Sequence, residues 1–185
     1  AAALTCSLTA VVNAGEEVIV PAPYFPEYKV FIEKAMGKVV LVDCKEENFY
    51  PDLYDFENKI SERTKAVIIN SPNNPTGVIY TEDIIKKISE ILKKKQCEYN
   101  HDIYLISDEP YRELVYSDIK VPFVSHYYDN SIICYSFSKS LSIPGERIGY
   151  IMLSSLCNDS KDVYSAICGS GRSLGYVCAP ALFQY

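Results

Sequence analysis

Short apolar runs alternate with helical patterns along this chain, and the alternation restricts the possible folds more than any other feature. Strand-like runs cover residues 17–21, 39–42, 66–69, 103–107, 132–137 and 148–153. Helical spacing or helix-end signals occur at residues 4–13, 28–35, 52–63, 81–95 and 159–169. Strands that alternate with helices form βαβ units around a largely parallel sheet. The sequence therefore predicts one α/β domain, a three-layer αβα sandwich with helices on both faces of the sheet.

Charge, hydropathy and cysteine usage narrow the class of protein further. The 24 acidic residues exceed the 18 basic ones, and the net charge of −6 disfavours a nucleic-acid partner. No apolar run approaches the roughly 18 residues that a membrane-spanning helix needs. The 7 cysteines are odd in number and include no C-x-x-C pair, so neither a disulfide framework nor a metal site is expected. We expect a protein of the reducing cytoplasm, with no metal and no membrane contact.

The clearest helix begins at Thr81, whose hydroxyl can cap it, and carries three consecutive lysines at residues 93–95. Such a run has two interpretations, a patch for nucleic acid or a solvated helix end. The second is favoured, because the negative end of a helix attracts cations in any case.

Chemically unusual residues follow three of the predicted strands. They are the turn at residues 70–77 (NSPNNPTG), the stretch 108–111 (DEPY), and residues 138–140 (SKS), with Arg147 further along. Each has an ordinary explanation: a plain turn, a helix cap by Asp108, or a surface lysine. Ligands of such sheets bind beyond the carboxyl ends of the strands, so three coincidences there favour a shared site.

The combination of these groups is what pyridoxal chemistry requires. A lysine amine forms an imine with the cofactor aldehyde. A carboxylate pairs with the pyridine nitrogen, which lets the ring accept electrons. Hydroxyls and a cation are suited to hold a phosphate.

Three segments of this sequence are similar to motifs of a known family. They are residues 73–77 (NNPTG), 107–111 (SDEPY) and 136–149 (SFSKSLSIPGERIG), in that order. With them the chain resembles, from residue 1 to about residue 184, the fold-type I, class I and II aminotransferases. The resemblance implies pyridoxal 5′-phosphate as cofactor, an L-amino acid and a 2-oxo acid as substrates, and a homodimer.

The resemblance also assigns roles around the cofactor ring. Lys139 would bond to the cofactor and move the substrate proton, and Asp108 would pair with the pyridine nitrogen. Tyr111 and Asn74 would hydrogen-bond the ring hydroxyl oxygen. Phe25 would stack on the ring, with Tyr24 as the competing candidate. The bond between Asn74 and Pro75 is expected to be cis.

The phosphate group would have its own set of residues. The resemblance assigns it to Ser136, Ser138 and Arg147, together with Ala1 and Ala2 at the start of the first helix. A helix N-terminus is a suitable place for an anion.

The same resemblance implies that the chain is incomplete. We expect residues 1–185 to be a single large, cofactor-binding domain cut at both ends, without the N-terminal arm and the C-terminal small domain. In the family that small domain carries the arginine that binds the substrate carboxylate. Arg172 is either a surface residue or a group that approaches a neighbouring active site, and the first is favoured on its residue type.

Two other functions use the same residues. One is a pyridoxal-phosphate-dependent C–S lyase, since substrate orientation decides which bond breaks. The other is a non-catalytic sensor domain that binds the cofactor within a transcription regulator. The sequence leaves both open, and amino-group transfer is the main expectation.

Overall fold

A twisted sheet forms the middle layer of the protein, for which a computed structural model describes residues 1–116 and 118–184. Its strands are β1 Glu17–Ala22, β2 Lys38–Asp43, β3 Thr64–Asn70, β4 Tyr104–Asp108, β5 Ser131–Ser136 and β6 Gly149–Leu153. They lie in the order β2-β1-β3-β4-β5-β6. The first five run parallel to one another, and β6 pairs antiparallel with β5. The prediction of a mostly parallel sheet is confirmed.

Helices cover both faces of this sheet. They are α1 Ala2–Val11, α2 Glu27–Lys34, α3 Leu53–Lys59, α4 Glu82–Tyr99, α5 Phe137–Ser140 and α6 Ser160–Ser173. Short 3₁₀ turns occur at Val124–His126, Pro144–Glu146 and Ala181–Phe183. No helix in residues 1–116 or 118–184 has both the length and the apolar composition to cross a membrane.

Two hydrophobic cores explain why the strands are apolar at nearly every position. In β3, Ala66 and Ile68 belong to the core shared with α1, α2 and α6, whereas Val67 and Ile69 belong to the core shared with α3 and α4. Successive side chains of a strand point to opposite faces, so a strand covered on both faces must be apolar throughout. The αβα sandwich is therefore confirmed.

The first and last long helices of the chain pack against each other. Residues of α1 and α6 share one core, and the buried hydroxyl of Ser170 donates a hydrogen bond to the backbone oxygen of Cys6 at 2.9 Å. This contact joins positions 164 residues apart in the sequence.

The end of α4 corrects one prediction. Thr81 caps the helix as predicted, accepting a hydrogen bond from the amide of Ile84. The lysines at 93–95, however, do not lie at its end, since the helix continues to Tyr99 and has no basic residue in its last turn. The hydroxyl of Tyr99 donates to the backbone oxygen of Ile60 and anchors this extra turn, and Asn100 ends it in the left-handed conformation at φ 54°.

The end of β5 corrects another prediction. The strand was expected to include Phe137, but it stops at Ser136, and Phe137 begins α5. The reason is the Ser136 side chain, whose oxygen accepts a hydrogen bond from the amide of Ser138 and caps the helix. On the neighbouring strand, a side chain at Gly149 would come within 2.2 Å of the Tyr135 backbone oxygen. Only glycine allows β6 to approach β5 so closely there.

Candidate active site

The three segments singled out in the sequence lie side by side in the structure. They follow β3, β4 and β5, which are adjacent parallel strands. The strand register pairs Asn70 with Asp108, and Asp108 with Cys134. The segments after these strands therefore emerge at one edge of the sheet, where the sequence places the candidate site.

Asp108, at the end of β4, accepts a hydrogen bond from a residue that the sequence interpretation missed. The hydroxyl of Tyr28, which lies on α2 and is 2% exposed, donates to Asp108 Oδ2 at 2.6 Å. Burial raises the pKa of the Asp108 carboxyl from an ordinary 3.8 to about 6, while the Tyr28 hydrogen bond opposes the rise. Burial and the Asp108 charge raise the pKa of Tyr28 well above its ordinary value, so its hydroxyl keeps the proton that it donates.

A second residue missed in the sequence, Asn70, joins two of the segments. Its side-chain amide donates to the backbone oxygen of Asp108 at 2.8 Å, and its side-chain oxygen accepts from the amide of Asn74 at 2.6 Å. The bond between Asn74 and Pro75 is cis, as predicted. Asn70 therefore fixes Asn74 and Asp108 relative to each other.

Tyr111 and Lys139 approach each other above this edge. The Nζ atom of Lys139 lies 6.0 Å from the centre of the Tyr111 ring, and the side chain is exposed. Burial and the nearby Asp108 carboxylate raise the pKa of the Tyr111 hydroxyl, while a hydrogen bond with the Asn74 side chain lowers it. Four of the five residues predicted to surround the cofactor ring, all except Phe25, are thus brought together at this edge.

The residues predicted to hold the phosphate are only partly assembled. The hydroxyl oxygens of Ser136 and Ser138 lie 2.9 Å apart. Arg147 is exposed, has a left-handed backbone at φ 52°, and donates through Nη1 to the backbone oxygen of Pro144 at 2.8 Å. In the described part of the chain it makes no hydrogen bond with either serine. Ala1 and Ala2 stand at the start of α1.

The two candidates for ring stacking both contact Tyr28. The Phe25 ring meets the Tyr28 ring edge-on at 5.6 Å between centres, and the Tyr24 ring is stacked on it at 6.4 Å. Both side chains are half-buried. The Tyr28 side chain therefore contacts both of these rings and Asp108. Arg172, by contrast, lies exposed in the last turn of α6.

The chemistry of this set fits pyridoxal phosphate. Within the described ranges, Oδ1 of Asp108 and Nζ of Lys139 make no hydrogen bond or ion pair, so both can engage a ligand. Asp108 offers a carboxylate for a protonated pyridine nitrogen, and Lys139 offers an amine for an aldehyde. Tyr111 offers a hydroxyl for a phenolic oxygen.

Burial of the Asp108 carboxyl makes the free energy of unfolding depend on pH. Because the folded protein binds the Asp108 proton more tightly than the unfolded chain, this carboxyl favours folding below about pH 4. The contribution is lost as the pH rises through about 6. We expect Tyr28→Phe to raise the Asp108 pKa further and to lower the free energy of unfolding by about 1–2 kcal/mol above that pH, where a charged acceptor loses its donor. Urea unfolding of the cofactor-free protein across this pH range measures the change in the free energy of unfolding.

Tyr128→Phe is the matched control for this variant. Tyr128 is also buried, and its hydroxyl donates to a backbone carbonyl, that of Ile103, at 2.8 Å. Removing the Tyr128 hydroxyl should lower the free energy of unfolding by a similar amount above and below pH 6. An equal loss at all pH values for Tyr28→Phe would contradict the role given to its hydrogen bond.

Comparison with known proteins places this chain among aminotransferases. A family model described as "Aminotransferase class I and II" matches residues 1–181. A probable aspartate aminotransferase of Methanocaldococcus jannaschii is 34% identical over 99% of this chain and 46% of its own length. A crystal structure of an amino transferase from Eubacterium rectale is 53% identical, with a TM-score of 0.97, over 99% of this chain and 46% of its own. The aspartate aminotransferase structure from Thermotoga maritima is 34% identical, with a TM-score of 0.85. The chain spans about half the length of the curated relatives it matches.

Proposed function

Because this chain belongs to the class I and II aminotransferase family, we propose that it is the cofactor-binding part of an enzyme that transfers an amino group between an L-amino acid and a 2-oxo acid. The cofactor in this proposal is pyridoxal 5′-phosphate. The observation that carries it is the placement of the Lys139 amine over Tyr111, at the sheet edge where Asp108 and Asn74 also meet.

Each residue of the set has a place around the cofactor. Asp108 would face the pyridine nitrogen, and Tyr111 with Asn74 would donate to the ring oxygen. Phe25 would cover the ring, and Lys139 would hold the cofactor covalently. The phosphate would lie among residues that offer hydroxyls, a guanidinium and a helix N-terminus, namely Ser136, Ser138, Arg147, Ala1 and Ala2.

The chain's own side chains then account for the proton movements. When bound, pyridoxal phosphate supplies an electron-poor ring that stabilises negative charge at the substrate α-carbon. The carboxylate of Asp108 would keep a proton on the ring nitrogen, and the Tyr28 hydrogen bond favours the ionised form of Asp108. Lys139 Nζ would be the base that removes the α-proton of the amino acid and delivers it to the carbon that had carried the cofactor's aldehyde.

The alternatives share these residues but have less support. The relatives named above are described as aminotransferases, which favours amino-group transfer over C–S bond cleavage and over a sensor role. An assay of the full-length protein separates the three. Amination of a 2-oxo acid supports the proposal, release of a thiol with pyruvate supports the lyase, and cofactor binding with neither reaction supports the sensor.

The proposal also concerns the parts of the enzyme outside residues 1–185. Since residues 1–185 correspond to about half of each relative, we take them as the large domain of a longer enzyme that has an N-terminal arm and a C-terminal small domain. The enzyme would work as a homodimer in the cytoplasm. Its amino donor would be chosen by groups that contact the substrate and include residues outside this chain.

Because residues outside this chain are proposed to contact the substrate, we expect that residues 1–185 alone do not catalyse transamination at a useful rate. Orientation of bound reactants accounts for about 7–11 kcal/mol of a reaction barrier, and the proposed small domain would provide much of it. We expect turnover at least about 10³-fold below that of the full-length protein, with cofactor at saturation in both. Comparable rates would show that the essential groups all lie within this chain.

A further inference from the structure

The hydroxyl of Tyr135 joins the two segments that carry Lys139 and Tyr111. Tyr135 lies near the end of β5, is 6% exposed, and donates a hydrogen bond to Glu113 Oε2 at 2.8 Å. Its oxygen also lies 2.8 Å from Ser140 Oγ. A phenol has one proton, so Ser140 is the donor in this second bond. Glu113 comes two residues after Tyr111, and Ser140 comes directly after Lys139.

The Tyr135 ring is held firmly enough to serve as an anchor. It is stacked on the Tyr150 ring at 4.9 Å between centres and meets the Phe137 ring edge-on at 5.1 Å. Burial raises the pKa of Tyr135, and the Glu113 charge adds to the rise. The hydroxyl therefore stays protonated and keeps its bond to Glu113.

The helix that carries Lys139 needs such an anchor. α5 comprises the four residues Phe137–Ser140, a single turn, which is far too short to be stable by its own hydrogen bonds. Ser136 caps its start, and the bond from Ser140 to Tyr135 holds its end. The position of the Lys139 amine then depends on both attachments.

We propose that Tyr135 is a positioning residue for Lys139, acting through Ser140 on one side and Glu113 on the other. This inference rests on the proposed function, in which Lys139 is the reacting amine and Tyr111 contacts the cofactor. Tyr135 itself touches neither substrate nor cofactor in this role. Its hydroxyl fixes the distance between the helix with Lys139 and the segment with Tyr111.

The test compares Tyr135→Phe with Tyr150→Phe in the full-length protein loaded with pyridoxal phosphate. Both variants keep the stacked rings, but within residues 1–116 and 118–184 the Tyr150 hydroxyl makes no hydrogen bond. We expect Tyr135→Phe to lower kcat about tenfold with little change in KM. It should also shift the pH at which the absorbance of the bound cofactor changes. Tyr150→Phe should stay within about twofold of the unmodified protein, and equal behaviour of the two variants would overturn the proposal.

Conservative substitutions at Glu113 and Ser140, the two hydrogen-bond partners of Tyr135, should preserve the activity. Glu113→Gln keeps an oxygen that accepts from Tyr135, and Ser140→Thr keeps a hydroxyl that donates to it. Both should leave kcat within about twofold, whereas Glu113→Ala and Ser140→Ala should lower it. Combining Ser140→Ala with Tyr135→Phe should add little to either loss, because both remove the same bond. Additive losses would contradict a shared attachment.

Amide hydrogen exchange of the full-length protein without cofactor separates this inference from the proposed function. Exchange in residues 138–141 should be about tenfold faster in Tyr135→Phe and unchanged in Tyr150→Phe. If the unmodified protein fails to attach the cofactor at Lys139, the proposed function is wrong, yet the exchange rates still test the attachment. If exchange is the same in both variants, Tyr135 does not position α5, whatever the activity.

Discussion

Lys139→Ala should abolish amino-group transfer, with a loss of at least about 10⁴-fold in the full-length enzyme. In the proposed function the change removes both the covalent attachment of pyridoxal phosphate and the base that moves the substrate proton, and a positioned base alone contributes about 10²–10⁴-fold. The protein should also lose the cofactor label that borohydride reduction fixes to the peptide containing residue 139. Turnover and mass spectrometry of that peptide measure the two effects.

Two further variants make this test specific. Lys139→Arg keeps a positive charge but offers no usable nucleophile, so it should be as inactive as Lys139→Ala. Lys161→Ala removes an exposed lysine from the first turn of α6 and should behave like the unmodified protein. A borohydride-fixed cofactor on the same peptide of Lys139→Ala would show that another group forms the attachment.

Asp108→Asn should slow removal of the substrate α-proton by about 10²–10³-fold or more. The variant keeps the shape of the side chain and an oxygen for the Tyr28 hydroxyl, but it loses the charge that, in the proposed function, would hold a proton on the ring nitrogen. A buried, preorganised group of this kind has effects of that size. Stopped-flow measurement with α-deuterated and ordinary amino acid isolates the proton-transfer step.

The adjacent carboxylate offers a matched control for Asp108. Glu109 is 2% exposed, accepts hydrogen bonds from Ser107 and Arg112, and forms an ion pair with this partly exposed arginine. Glu109→Gln should reduce stability, since it removes the charge of a buried carboxylate that pairs with Arg112, while the isotope effect and cofactor spectrum stay the same. A loss below about tenfold for Asp108→Asn, about 1.4 kcal/mol, would assign Asp108 to packing instead.

Local patterns were enough to predict the layers of the fold and the sheet edge at which the three polar segments meet. The strands are apolar because helices cover both of their faces, and the polar segments 70–77 and 108–111 stand out directly after two of them. The error at Phe137 has a local cause as well. An aromatic residue after an apolar run is typical of a strand, and the deciding cap by Ser136 forms only once the chain turns.

The contacts that were missed depend on which strands are neighbours. Tyr28 reaches Asp108 across 80 residues of sequence, because β1 and β3 place α2 near the end of β4. Tyr28 begins the helical pattern at residues 28–35, which predicts an apolar helix face but no partner for the hydroxyl. Asn70 was included in the turn 70–77, yet its two hydrogen bonds require β3 and β4 to be adjacent. Strand order is a tertiary property that the local pattern does not contain.

The packing of α1 against α6 has a consequence for folding during synthesis. A ribosome releases α1 first, but the surface of Cys6 and its neighbours finds its partner only after Ser170 has emerged. Contacts between distant parts of a chain form late. Until the contact with α6 forms, only the elements that have already been released can cover the apolar side of α1. The nascent chain would therefore complete this side of its core only after Ser170 has been released.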